Sequence, residues 1–124
     1  MIRPQAEFIH LKRFQEKFKT DENTIFAWDN VIYCNQDLPN DLKIHERTHH
    51  EQQHRDGLDF WLENYLNSPE YRLKCEKEAY IQQLRSISDR EVRNKIKIQS
   101  AKQLASPLYG NLLDYATAFK LLKV

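Results

Sequence analysis

Glycine is nearly missing from this chain: there are 2 in 124 residues, with 4 prolines. A many-stranded sandwich or barrel needs turn residues every few positions, so this scarcity points instead to long regular elements, mostly helices. No apolar run approaches the roughly 18 residues that a membrane span requires, which argues against a membrane as partner. An excess of one charge is also lacking. With 19 Lys and Arg against 18 Asp and Glu, nothing in the balance calls for nucleic acid or an anionic surface. The two cysteines, Cys34 and Cys75, lie far apart and form no Cys-x-x-Cys pair, as expected of reduced, buried thiols. The first five residues have no apolar core of a signal peptide, so the expected location is cytoplasmic. The length suits one domain, 1–124, with one core. The expected class is α+β, mostly helical.

What the chain does have is histidine in one place. Four of its 5 histidines fall between residues 44 and 54. His-Glu-x-x-His occurs there twice, as His45-Glu46-Arg47-Thr48-His49 and as His50-Glu51-Gln52-Gln53-His54. On a helix, residues four apart share a face, so either pair of imidazoles can hold one Zn²⁺. The glutamate after the first histidine is then placed to take a proton from water. The copies are five residues apart, about 140° of helical rotation, so one metal can use only one of them.

Neighbouring charge favours the first copy. His45 and His49 share their face with Leu42, Gln52 and Asp56, and no cation stands there. His50 and His54 share theirs with Lys43 and Arg47, which oppose a dication. The rival account is a solvated, histidine-rich face. However, residues 42–56 carry only Leu42 and Ile44 as aliphatic side chains, so this helix must dock through His and Gln.

A catalytic zinc takes three protein ligands. Acidic candidates downstream are Glu63, Glu70, Glu76, Glu78, Asp89 and Glu91. In the helix after Pro69, Leu73, Tyr80 and Leu84 define the apolar stripe. Glu76 lies about 60° from its centre and Glu78 about 140° away. Glu76 is therefore the preferred third ligand, with Glu78 the alternative. Pairing of Glu76 with a nearby Arg or Lys is the structural account.

Elsewhere, aromatics at 8, 14 and 18 with Leu11 predict a basic amphipathic helix or turn. Residues 24–34 are β-branched and aromatic around Asp29-Asn30, which predicts a hairpin with strands at 24–28 and 31–34. Asn40 or Asp41 is expected to cap the motif helix, and Gly57 to stop it. Further helices are expected at 58–66, from Pro69 (capped by Ser68) to about Ile87, from a Ser88–Glu91 capping box to about Ala105, and from Leu112 to Leu122 capped by Asn111.

His45-Glu46-Arg47-Thr48-His49 followed by Gln52-Gln53, and then Glu76-Lys77-Glu78-Ala79-Tyr80, resembles the zincin metallopeptidases of the gluzincin type. It is most similar to minimal bacterial and phage domains with a His-Glu-x-x-His-x-x-Gln-Gln run and a later Glu-x-x-Ala helix. The resemblance covers about residues 24–85 and supports the first register. It implies a minimal zincin-like fold with a short sheet over the motif helix. It also implies Zn²⁺ on His45, His49 and Glu76, with Glu46 as general base, and a peptide or protein substrate. Tyr80 stands where many relatives carry an Asp that orients the metal ligands. The turn at 106–111 is similar to tails of small phage proteins.

Two functions follow as expectations. One is a zinc-dependent peptidase in which Tyr109, or less favourably His54 or Tyr80, donates to the oxyanion. The hairpin edge would pair with an extended peptide. The other is a non-catalytic zinc-binding or structural protein, such as a phage particle component with a protein assembly partner. A nucleic-acid binder using Arg85, Arg90, Arg93, Lys95, Lys97 and Lys102 is disfavoured because no aromatics interleave with these residues.

Overall fold

The structure, a computed structural model, describes residues 1–124. It is an α+β arrangement, mostly helical, with one small sheet. The elements in order are β1 (Ile2–Arg3), a 3₁₀ turn (Gln5–Glu7), α1 (Leu11–Lys17), β2 (Phe26–Trp28), β3 (Val31–Tyr33), α2 (Asn40–Asp56), α3 (Leu58–Asn67), α4 (Pro69–Arg85), α5 (Arg90–Leu104), a second 3₁₀ turn (Pro107–Tyr109) and α6 (Tyr115–Leu121). No helix is long and apolar enough to cross a membrane.

The predicted hairpin forms, with Asp29 and Asn30 both at positive φ (49° and 67°). Two such residues in succession make the tight turn whose twist matches the strands. Phe26 pairs with Tyr33 and Trp28 with Val31, antiparallel. The N-terminus adds a strand the sequence did not reveal: β1 runs parallel to β3, with Ile2 opposite Ile32. The strand order is β1-β3-β2, so β2 is an edge.

Several helix ends differ from expectation. Pro39, not Asn40 or Asp41, occupies the cap position of α2, and it offers no side-chain bond. Asp89 alone caps α5, accepting from Val92 N, so Ser88 is not the cap. Asn111 sits in the left-handed region (φ 58°), and Asp114 caps α6 instead. Ser68 and Pro69 start α4 as read, with Ser68 Oγ accepting from Tyr71 N. Gly57 joins α2 to α3 at φ 92°, a conformation costly for any residue with a Cβ.

Two apolar clusters flank α2. The first is aromatic and joins Phe8, Phe14, Phe18 and Phe26 to Trp28, Trp61 and Tyr65. The second joins Tyr80 and Leu84 of α4 to Ala101, Leu104, Ala118 and Leu122. Helix α2 lies between them without an apolar face. Its buried residues are His45, Glu46, Thr48, His49, Gln52 and Gln53, all polar. Burying such a face is tolerable only if its groups find partners.

Candidate metal centre

The partners of α2 come from three directions. Gln53 turns to the sheet: its Nε2 donates to Ala27 O at 2.8 Å and its Oε1 accepts from Asp29 N at 3.1 Å. Gln52, fully buried, turns to α3 and α4. Its Nε2 donates to Cys75 O (2.9 Å) and Glu78 Oε1 (2.8 Å), and its Oε1 accepts from Trp61 Nε1 (3.2 Å). The same Oε1 lies 2.9 Å from His49 Nδ1. His45 Nδ1 lies 3.0 Å from Gln83 Oε1, while Gln83 Nε2 donates to Asp41 Oδ2 at 2.8 Å.

With their Nδ1 atoms so engaged, both imidazoles point Nε2 at Glu76. His45 Nε2 is 3.1 Å from Glu76 Oε1, and His49 Nε2 is 3.0 Å from Oε2. Tyr65 OH donates to Oε2 at 2.5 Å. All three residues are buried, and their ligand atoms lie within 4.8 Å of one another. The structure thus brings together the first register and Glu76. Glu78 is set aside from this trio: its side chain is 43% exposed and serves Gln52 and Arg55.

The second register does not assemble. His50 is half-buried and its Nε2 donates to Val31 O at 3.0 Å, tying α2 to the hairpin. Burial pushes its pKa down, and the His49, N-terminal and Arg47 charges push the same way, outweighing the Val31 bond. His54 is exposed.

Whether the trio fits a metal is a question of what lies between Nε2 and the carboxylate. A nitrogen lone pair 3.1 Å from a carboxylate oxygen is repulsive unless a proton or a cation sits between them. Burial works against charge on His49, yet the Glu76 carboxylate overrides it and lifts the pKa to about 9. Burial likewise opposes ionisation of Glu76, and His49 and His45 outweigh it, holding the carboxyl far below the usual range. Two imidazole nitrogens and one carboxylate form a zinc-type donor set. On a tetrahedral ion with bonds of about 2.0–2.2 Å, ligand atoms stand roughly 3.4 Å apart, so small outward shifts from the observed contacts suffice. The residues fit a divalent ion.

Glu46 lies beside the trio, Oε2 3.9 Å from His45 Nε2, and is buried without a hydrogen bond to any protein group. Burial raises its pKa, His45 and His49 offset part of this, and Glu76 adds to it. In the metal-free protein this carboxyl therefore titrates above the ordinary range. Glu46 and the trio line a cavity of about 240 Å³, whose other walls include residues 24–27 on the β2 side, Phe14, Phe18 and Tyr109.

Tyr109 reaches this cavity, but its hydroxyl is 2.8 Å from Tyr80 OH, which in turn donates to Gln103 Oε1 at 3.0 Å. Burial and the Glu76 charge push the Tyr109 phenol well above its usual pKa, so it remains a donor. Tyr80 packs edge-on against His45, ring centres 4.4 Å apart. His54, the other candidate donor, is in solvent and does not line the cavity.

Two sets of residues were missed from the sequence. One is Gln83 with Asp41. The other is Arg72, buried without a carboxylate partner. Its Nη1 donates to Tyr65 O (2.6 Å) at the end of α3, its Nε donates to Tyr109 O (2.8 Å), and its guanidinium stacks over Phe18. A Cβ on Gly110 would stand 3.1 Å from Arg72 Nη2, so the glycine gives the guanidinium room beneath the Tyr109 turn. The one signal for Arg72 was its place on the inward side of α4, one turn before Glu76.

Comparison with protein-family models, with curated proteins and with solved structures finds no match to this chain.

Proposed function

We propose that the chain is a metal-dependent hydrolase acting on peptide bonds, with His45, His49 and Glu76 holding a divalent ion, zinc by the chemistry of the donor set. The observation that carries this reading is the closed, buried donor trio together with a second buried carboxyl, Glu46, which makes no hydrogen bond, has only a 3.9 Å contact with His45 and faces the same cavity. The ion supplies Lewis acidity for a carbonyl and for water. Glu46 takes a proton from the attacking water and passes it to the leaving amine. Tyr109 stabilises developing negative charge on the carbonyl oxygen once its hydroxyl turns from Tyr80. Gln53 already takes the outer edge of β2 at Ala27 O and Asp29 N, so an extended peptide would add its backbone beside Ile25, on the cavity wall just ahead of β2.

A second reading has its own support. The contacts of Glu76 with His45, His49 and Tyr65 already join α2, α3 and α4, which suits a metal-stabilised or metal-free scaffold for a protein partner. The deciding experiment is metal analysis after chelation and reloading with Zn²⁺, followed by digestion of a peptide library. One zinc per chain with cleavage supports the hydrolase. One zinc without cleavage supports the scaffold. No zinc uptake rejects the metal centre.

A further inference from the structure

Each imidazole of the trio is held by a neutral amide whose orientation is forced. Gln83 Nε2 faces Asp41 Oδ2, and a carboxylate only accepts. The Gln83 oxygen must therefore face His45, so His45 carries a proton on Nδ1. Gln52 Nε2 faces Cys75 O and Glu78 Oε1, again two acceptors, while Trp61 Nε1–H points at its oxygen. His49 must likewise carry a proton on Nδ1. Neither amide can flip without placing oxygen against oxygen.

Resting on the metal-centre reading, we propose that Gln52 and Gln83 are positioning residues that fix both histidines as Nδ1–H tautomers with Nε2 left for the metal. They do so without adding charge: the carboxylates Glu78 and Asp41 stand one amide further out. Tyr80, which packs against His45, spends its hydroxyl on Gln103 and Tyr109 and orients neither imidazole. The orienting groups lie at 52 and 83 instead. With amides rather than carboxylates at Nδ1, the donor set brings one negative charge, from Glu76, to a dication, which keeps the ion strongly electrophilic.

Gln83 is the residue to test, because loss of Gln52 would also free Trp61 and the α4 backbone. Zinc affinity is measured by competition with a chromophoric chelator. The Nδ1–H of His45 and its exchange with solvent are followed by ¹H–¹⁵N correlation in the zinc-loaded protein. Gln83→Met should weaken zinc binding by about 10- to 100-fold and remove the protected Nδ1–H signal of His45. A residue that merely filled space would leave the protection of that proton unchanged. Gln83→Glu alone puts a carboxylate against Asp41 and should also bind weakly. Asp41→Asn with Gln83→Glu restores the donor–acceptor order and should recover affinity to the wild-type level or above it. Should Gln83→Met fail to fold, this exchange decides: a double variant no tighter than Gln83→Glu alone overturns the proposal. Unchanged affinity and unchanged Nδ1–H protection in Gln83→Met overturn it equally. If the wild-type protein takes up no zinc, the metal centre itself is rejected, and this proposal with it.

Discussion

On α2, His45 and His49 turn toward α4 and are 4% and 5% exposed, whereas five residues further on His50 reaches the hairpin and His54 stands in solvent. The two copies share the His-Glu-x-x-His pattern and differ in helical phase and in the residues between. That phase decides what each meets. The first copy meets Glu76, Gln83 and Gln52; the second meets a backbone carbonyl and water. A His-Glu-x-x-His spacing is thus completed into a donor trio by what packs against the helix, and an identical spacing about 1.4 turns away becomes a strut between helix and sheet.

The largest difference expected between the copies is in metal uptake. His45→Ala, His49→Ala or Glu76→Ala should each reduce zinc from one ion per chain to none at stoichiometric metal, because two remaining ligands do not hold the ion. His50→Ala and His54→Ala should retain it. Elemental analysis of the five purified variants makes the comparison. Zinc lost with His50 and kept with His45 would reverse the assignment of the copies.

The next difference lies in the glutamates. Glu46 faces the cavity; Glu51, at the same place in the second copy, is exposed. Glu46→Gln should keep zinc and lower peptide hydrolysis by ~10²–10⁴-fold, the usual contribution of a positioned proton carrier. Glu51→Gln should leave the rate unchanged. Full activity in Glu46→Gln would remove this role from Glu46.

pH separates the copies by sign. In the metal-free protein the folded pKa of His49 is raised from 6.5 to about 9, so its contribution to stability is complete below pH 6.5 and is lost as pH rises through about 9. The lowered pKa of Glu76 adds stability that is present above its ordinary 4.5 and lost in acid. His50 runs the other way: its folded pKa is lowered, so its contribution is complete above 6.5 and falls as pH drops through the folded value. Denaturant melts of apo protein should therefore lose stability from pH 6.5 to 9, and His49→Ala should flatten that loss. Zinc-loaded protein should show the opposite slope, since metal and protons compete for the same nitrogens. A flat apo profile in the wild type would show that the His49–Glu76 pair is not formed.

Much of this contrast was legible in the sequence, because the signals were local. Helical rotation separated the two copies, the charges of Lys43 and Arg47 disfavoured the second, and the phase of Glu76 against Leu73, Tyr80 and Leu84 placed it inward. The turn at Asp29-Asn30 and the start at Ser68-Pro69 follow from residue chemistry within four positions. What stayed hidden depends on distant partners. A two-residue strand such as Ile2–Arg3 has no period of its own and exists only because β3 offers an edge. Asn111 and Asp114 are both good caps, and the choice fell to the residue whose backbone was not needed in the left-handed turn. Gln52 was legible as a docking residue on the His45 and His49 face, but its partners were not; Gln83 read as an ordinary polar position until helices separated in sequence were packed together, and Arg72 found carbonyls rather than an acid.

The smallest expected effect lies within the second copy and divides its two histidines. His50→Ala removes one partly buried bond to Val31 O and should cost about 0.5–1.5 kcal/mol. His54 is exposed and makes no side-chain hydrogen bond or ion pair, so His54→Ala should stay within about 0.5 kcal/mol of wild type. Urea melts of the apo proteins at pH 7.5, where His50 is neutral and its bond to Val31 intact, give both numbers. The loss in His50→Ala should be local: amide exchange should quicken at Val31 and Ile32 and stay unchanged in α4, because Gln53 still holds Ala27 and Asp29. Equal destabilisation by both variants would mean that the second copy is not a strut but part of the same packed face as the first.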